Sequence, residues 1–146
     1  MPMVLPQPAW LLEALGVTRL KPQQWEAICT LTRKGGRDVF LHAPCGSGKS
    51  LVFLGALLML QHVVGVLVVP MLSIQAMYAQ LFKKLRVDTQ VLNAKSRAAI
   101  CARLESWDVG ARGPPLVVLA TPQQASHSDW PRAAPALRAR GTCAPH

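Results

Sequence analysis

The sequence predicts an α/β fold, a parallel sheet with helices on both faces. Three observations predict it. Short β-branched runs, "VGVLVV" at 64–69 and "LVVLA" at 116–120, alternate with longer stretches of helical period. The glycine-dotted turn "APCGSGKS" at 43–50 stands between two apolar runs, where a strand hands over to a helix. A chain of 146 residues, 51% of them hydrophobic, is long enough for one domain with a sizeable core.

The elements follow in order. Pro8 to Leu15 forms a short helix closed by Gly16, a residue suited to the C′ position. Pro22 fits the first turn of a second helix, with Trp25, Ile28, Cys29 and Thr32 on one face and Gly35-Gly36 at its end. "DVFLHA" reads as a strand leading into the glycine turn, and a helix runs from Lys49 to about Gln61. The strand "VGVLVV" ends at Pro70, and Ser73 is the expected N-cap of the next helix. Ile74, Met77, Tyr78, Leu81, Phe82 and Leu85 recur at helical spacing and mark its expected buried face. A strand near "TQVLN" follows, then a helix with Ile100, Leu104 and Trp107 on one side, then the loop "ARGPP" and the buried strand "LVVLA". Residues 126–146, rich in Pro, Ala and Arg without apolar periodicity, read as a disordered tail.

Sixteen Lys and Arg against seven Asp and Glu give a net charge of +9. The tail holds three arginines and one aspartate, a share of +2, which leaves +7 on residues 1–125. Such charge serves solubility or a polyanionic partner, nucleic acid above all. Cys29, Cys45, Cys101 and Cys143 form no CxxC pair, which argues against zinc and for a reducing compartment. "MPMVLPQPAW" lacks the basic start of a cleaved signal peptide. Residues 51–69 carry only Gln61 and His62 as polar side chains and are long enough to span a bilayer. Leu and Ala dominate before Gln61 and Val after His62, so a buried helix, a turn and a buried strand are expected instead of a membrane span.

"APCGSGKS" matches the Walker A pattern except that Ala43 stands at its first glycine. Gly46 and Gly48 allow backbone angles and a close approach that a Cβ would block, so the N–H groups around Ser47 can converge on phosphate. The following helix N-terminus adds partial positive charge. Lys49 can reach the β- and γ-phosphates of ATP, and Ser50 can place its hydroxyl on Mg²⁺. Cys45 reads as a bystander in this loop rather than a reactive thiol.

Alanine at the first position resembles superfamily-two helicases, and further stretches resemble the RecQ family over about residues 10–125. "LGVTRLKPQQWEAI" at 15–28 resembles motif 0, which contacts adenine in that family. "VLVVPMLSIQAMYAQL" resembles motif Ia through Pro70 and Ser73, "VLNAKS" a family strand end, and "LVVLATPQQ" motif Ib through Thr121 and Pro122. The resemblance implies an incomplete RecA-like domain, a partial helicase ATP-binding domain over residues 1–125. It implies ATP and Mg²⁺ as cofactors, single-stranded or partly unwound DNA as partner, and 3'-5' unwinding. It also implies work in DNA repair and recombination, in the nucleus, or the nucleoid of a prokaryote. Gln24 matches the motif 0 glutamine, whose carboxamide donates and accepts at once and so suits an adenine edge. Lys21 stands where the family commonly has arginine, keeping the charge without planar stacking. Val17 occupies a position that often carries an aromatic. The resemblance makes Pro70, Ser73, Thr121 and Pro122 nucleic-acid contacts.

One requirement is unmet. Helicase hydrolysis of ATP needs a carboxylate pair at the end of an apolar strand, the "DExH" element. The acidic residues are Glu13, Glu26, Asp38, Asp88, Glu105, Asp108 and Asp129, and none follows an apolar strand; "LVVLA" ends in Thr-Pro. The chain stops before the expected position of that element and of a second lobe, which reads as a truncated product. Three functions follow: the ATP-binding part of a RecQ-like helicase, a nucleotide- or nucleic-acid-binding module without turnover, or another P-loop enzyme such as a small-molecule kinase. Ala43, the motif 0 match and the missing lid stand against the third.

Overall fold

The structure is a computed structural model that describes residues 5–33, 39, 41, 48–108 and 111–126. Apart from Val39 and Leu41, the strand expected at 38–43 lies outside the described residues, as does the tail beyond Ser126. The chain divides into two compact units, Met1–Leu60 and Gln61–His146.

The first unit is helical among the described residues. Helix α1 spans Ala9–Leu15, and Gly16 closes it in the left-handed region at φ 71°, returning its N–H to the carbonyl of Glu13. Leu20, between the helices, is held by Gln7, whose Nε2 donates to its carbonyl at 3.0 Å and whose Oε1 accepts its N–H at 2.8 Å. Helix α2, Pro22–Thr32, ends at Arg33, ahead of the Gly35-Gly36 pair expected to stop it. Its buried residues are Gln24, Trp25, Ala27 and Ile28, so the buried face is turned from the one expected, with Cys29 and Thr32 only half-buried. Gln24 accounts for the rotation, because its carboxamide is satisfied inside the fold. Helix α3, Lys49–Leu60, packs against α1 and α2, with Gly55 at the contact. A Cβ there would lie 2.5 Å from Ile28 Cδ1 and 3.7 Å from Leu15 Cδ1.

The apolar run 51–69 is divided as expected: α3 ends at Leu60, Gln61 turns at φ 65°, and strand β1 spans Val64–Val68. Among the described residues no helix is long and apolar enough to cross a membrane.

The second unit is a three-stranded parallel sheet in the order β1-β3-β2, with β2 at Asp88–Val91 and β3 at Leu116–Ala120. Strand β3 is central and all five of its residues are buried, as a continuous apolar run in a parallel sheet should be. Helix α4, Leu72–Lys84, connects β1 to β2 and packs on β2 and β3. Helix α5, Arg97–Glu105, sends Ile100 and Leu104 into a core with Val64, Leu92, Leu116, Val118 and Ala120. Side chains alternate along a strand, so Val117 and Leu119 face away from that core. Right-handed crossovers that run out from β1 to β2 and back to β3 put α4 and α5 on opposite faces. Beyond α5, Trp107 stacks on His62 with ring centroids 4.0 Å apart.

Two expectations about α4 are corrected. Its N-cap is Met71, with no side-chain cap bond, and Ser73 is exposed inside the first turn. Its buried residues are Gln75 and Phe82, whereas Met77 is 55% and Leu81 36% exposed. Gln75 is buried because its Nε2 donates to the carbonyl of Leu119 at 3.1 Å, which draws that flank of the helix onto the sheet. A final short helix, α6, spans Pro122–Ala125, where the sequence pattern predicts none; Thr121 caps it by accepting from the Gln124 N–H at 3.4 Å.

Candidate nucleotide and nucleic-acid sites

In the first unit, motif 0 meets the end of the glycine loop through one side chain. Gln24 Oε1 accepts the backbone N–H of Lys21 at 2.8 Å, and its Nε2 donates to the carbonyl of Gly48 at 3.1 Å. The two partners orient the carboxamide, since an N–H needs the oxygen and a carbonyl needs the nitrogen. With Gln24 only 6% exposed, both bonds are shielded from water. The first bond is half of a capping box; the ammonium of Lys21 has donors only and cannot complete the other half.

Gly48 has φ +84°, and a Cβ built there would lie 2.6 Å from Gln24 Nε2. Only glycine combines that left-handed backbone with so close a neighbour. Helix α3 begins at the next residue, with Lys49 exposed and Ser50 half-buried on its first turn. The first N–H groups of a helix have no intrahelical carbonyl to bond. Gly48, the start of helix α3, an ammonium and a hydroxyl are a donor set that fits a triphosphate with its Mg²⁺. Ala43, Gly46 and Ser47, the other expected members of the cradle, lie outside the described residues, as does Cys45.

In the second unit, the parallel register brings the motif Ia and Ib segments together. Val68 is paired with Ala120, so Pro70–Ser73 and Thr121–Pro122 leave the same carboxyl edge of the sheet. The Val69 N–H donates to the Ala120 carbonyl at 2.8 Å, one residue past the paired strands. Pro70, Ser73 and Pro122 are exposed there. Thr121 is 8% exposed and its hydroxyl is the α6 cap, so it shapes this edge from beneath.

A third segment, which sequence reasoning noted but assigned no role, reaches the same edge. After β2, Asn93 Oδ1 accepts the N–H groups of Lys95 and Ser96, closing a turn that leaves Lys95 exposed. Arg97 then donates from Nη2 to Gln124 Oε1, tying this turn to the motif Ib segment. Residues 69–73, 92–97 and 121–125 contain Lys95 and Arg97 and no Asp or Glu, so this edge is purely cationic. Asp88 begins β2 at the other end and pairs with Arg103. Gln7, Gln75 and Arg97 are the contributors that sequence reasoning missed, because each acts on a partner distant along the chain.

Cys29 and Cys101 are in no disulfide, and partial burial pushes the Cys29 thiol above its ordinary pKa.

Comparison with known proteins bears on both sites at once. The family model described as DEAD/DEAH box helicase matches residues 21–137, from Lys21 through Gly48–Ser50 and Pro70–Ser73 to beyond Thr121–Pro122. No curated protein matches the chain. The match is to the broad family, of which RecQ would be a narrower branch. Members of that broad family bind ATP, typically with Mg²⁺, and act on nucleic acid. With most of its length matched, the chain belongs to the DEAD/DEAH box helicase family.

Proposed function

We propose that this chain is the ATP-binding part of a RecQ-like ATP-dependent DNA helicase that unwinds in the 3'-5' sense, working in repair or recombination in the nucleus or nucleoid. One observation carries the nucleotide half of this reading: the Gln24 carboxamide bonded to the Gly48 carbonyl, which links motif 0 to the phosphate loop. Lys49 and the first-turn N–H groups of α3 hold the β- and γ-phosphates, and Ser50 offers its hydroxyl to the metal. Bound Mg²⁺ offsets phosphate charge. Gln24 spends one N–H on the Gly48 carbonyl and one lone pair on the Lys21 N–H, so it would read the N6/N7 edge of adenine with its second N–H and second lone pair. The strand lies along the cationic carboxyl edge, against Pro70–Ser73 and Thr121–Pro122.

A second reading, a binding module without turnover, is favoured by a different observation. No Asp or Glu stands in residues 69–73, 92–97 or 121–125, the segments that leave the carboxyl edge of the sheet, so these segments supply no carboxylate for Mg²⁺. Titration of the chain with ATP and GTP, each with Mg²⁺, tests what both readings share. ATP should bind more tightly, and Gln24→Ala should narrow the difference; equal binding of the two by the unaltered chain would refute the adenine assignment. Phosphate release with and without single-stranded DNA separates the readings. DNA-stimulated release that Lys49→Ala abolishes marks an active helicase; background release marks the module.

A further inference from the structure

Arg97 is placed against the ordinary preferences of a helix. It opens α5, where the helix dipole disfavours a cation, and the first turn of α5 holds no acidic residue. Arg103, in the last turn of the same helix, shows the ordinary arrangement: the dipole favours it and Asp88 pairs with it. Arg97 has no carboxylate partner among the described residues. Its Nη2 is held by the neutral Gln124, and its Nε is buried without a hydrogen-bond partner. A half-desolvated guanidinium with no counter-charge attracts an anion more strongly than one in open water does. A charge placed against the local rule, with no carboxylate among the described residues to offset it, points to function.

We infer that Arg97 is a direct contact to a backbone phosphate of the bound single strand, held in register with Thr121–Pro122 by its bond to Gln124. This rests on the nucleic-acid reading proposed above. The chemistry is that of a phosphodiester shared by DNA and RNA, and Arg suits it because its fork can meet two oxygens at once. Exposed Lys95, two residues earlier, adds to the same field.

The experiment measures binding of the full chain to single-stranded DNA and RNA oligonucleotides of one sequence, across a series of salt concentrations. Arg97→Ala and the bulkier Arg97→Gln should each lower affinity about tenfold at low salt. Each should flatten the dependence of log K on log salt by about 0.7, the share of one phosphate on a single strand. Arg97→Lys should keep the slope, and a thermal melt of each variant verifies folding. A weakened Arg97→Gln with the unaltered slope would make Arg97 a positioning residue and overturn the direct contact. Full affinity in Arg97→Gln would overturn any role. A wild-type chain with no salt-dependent binding to either strand would overturn this inference and the nucleic-acid reading together, whereas binding that ignores Arg97 would overturn this inference alone. The tighter-bound oligonucleotide identifies the strand.

Discussion

Replacing Gly48 with alanine should disturb the nucleotide site and the first unit together. The backbone at φ +84° costs an L-residue about 1–2 kcal/mol. The new Cβ would also sit 2.6 Å from Gln24 Nε2, so the carboxamide must move. Moving it breaks a bond to the Gly48 carbonyl and disturbs the one to the Lys21 N–H. Because Gln24 is buried, loosening those groups costs about 1–3 kcal/mol more. Together the change should destabilise by about 2–5 kcal/mol, a fall in Tm of roughly 6–15 °C for a chain of this size. A double-mutant cycle isolates the cause. Gln24→Ala removes the atom that the Cβ meets, so Gly48→Ala in that background should cost only the backbone part. The two substitutions should therefore fall short of additivity by about 1–3 kcal/mol. Additivity within about 0.5 kcal/mol would show that Gly48 and Gln24 do not act on each other, and would refute the link between motif 0 and the loop.

Two other perturbations follow from the same unit. Gly55→Ala drives a methyl to 2.5 Å from Ile28 Cδ1 in a core where Ile28 is fully buried, and should cost about 1–3 kcal/mol; adding Ile28→Val removes that carbon and should recover most of the lost Tm. Cys29 should alkylate more slowly in the folded chain at pH 8 than in urea, since partial burial raises its pKa; the raised value means the folded state keeps its proton, so this stabilisation is present at lower pH and lost as pH rises above about 9, and equal alkylation rates would contradict it.

The sequence disclosed what depends on local pattern. Gly16 as a helix stop, the buried run of β3 and the Ile100–Leu104 face of α5 each follow from spacing a few residues long. Residues that depend on distant partners were not legible. Gln75 reads as a surface residue until Leu119, 44 positions away, accepts its amide hydrogen. That one bond turns α4 and leaves Met77 and Leu81 exposed, although apolar spacing had assigned them to the core. Gln24 was picked out by resemblance for its adenine edge, yet its bond to Gly48, 24 positions on, could not be foreseen. Arg97 and Gln124 are 27 positions apart, and neither stands out alone. Helix α6 has only four residues, too short for a periodic signal, and only its Thr-Pro start marks it.

Calorimetric titration of the chain with ATP and Mg²⁺, alongside Lys49→Ala, tests most directly whether the loop and the start of α3 form a triphosphate site. Removing a charge-assisted contact to phosphate costs about 1.5–3 kcal/mol, so Lys49→Ala should weaken ATP binding by roughly 10- to 150-fold. Because Lys49 is exposed, its loss should leave the Tm of the nucleotide-free chain nearly unchanged. Equal affinities for the two proteins, or no heat of binding from either, would contradict a nucleotide site at Gly48–Ser50.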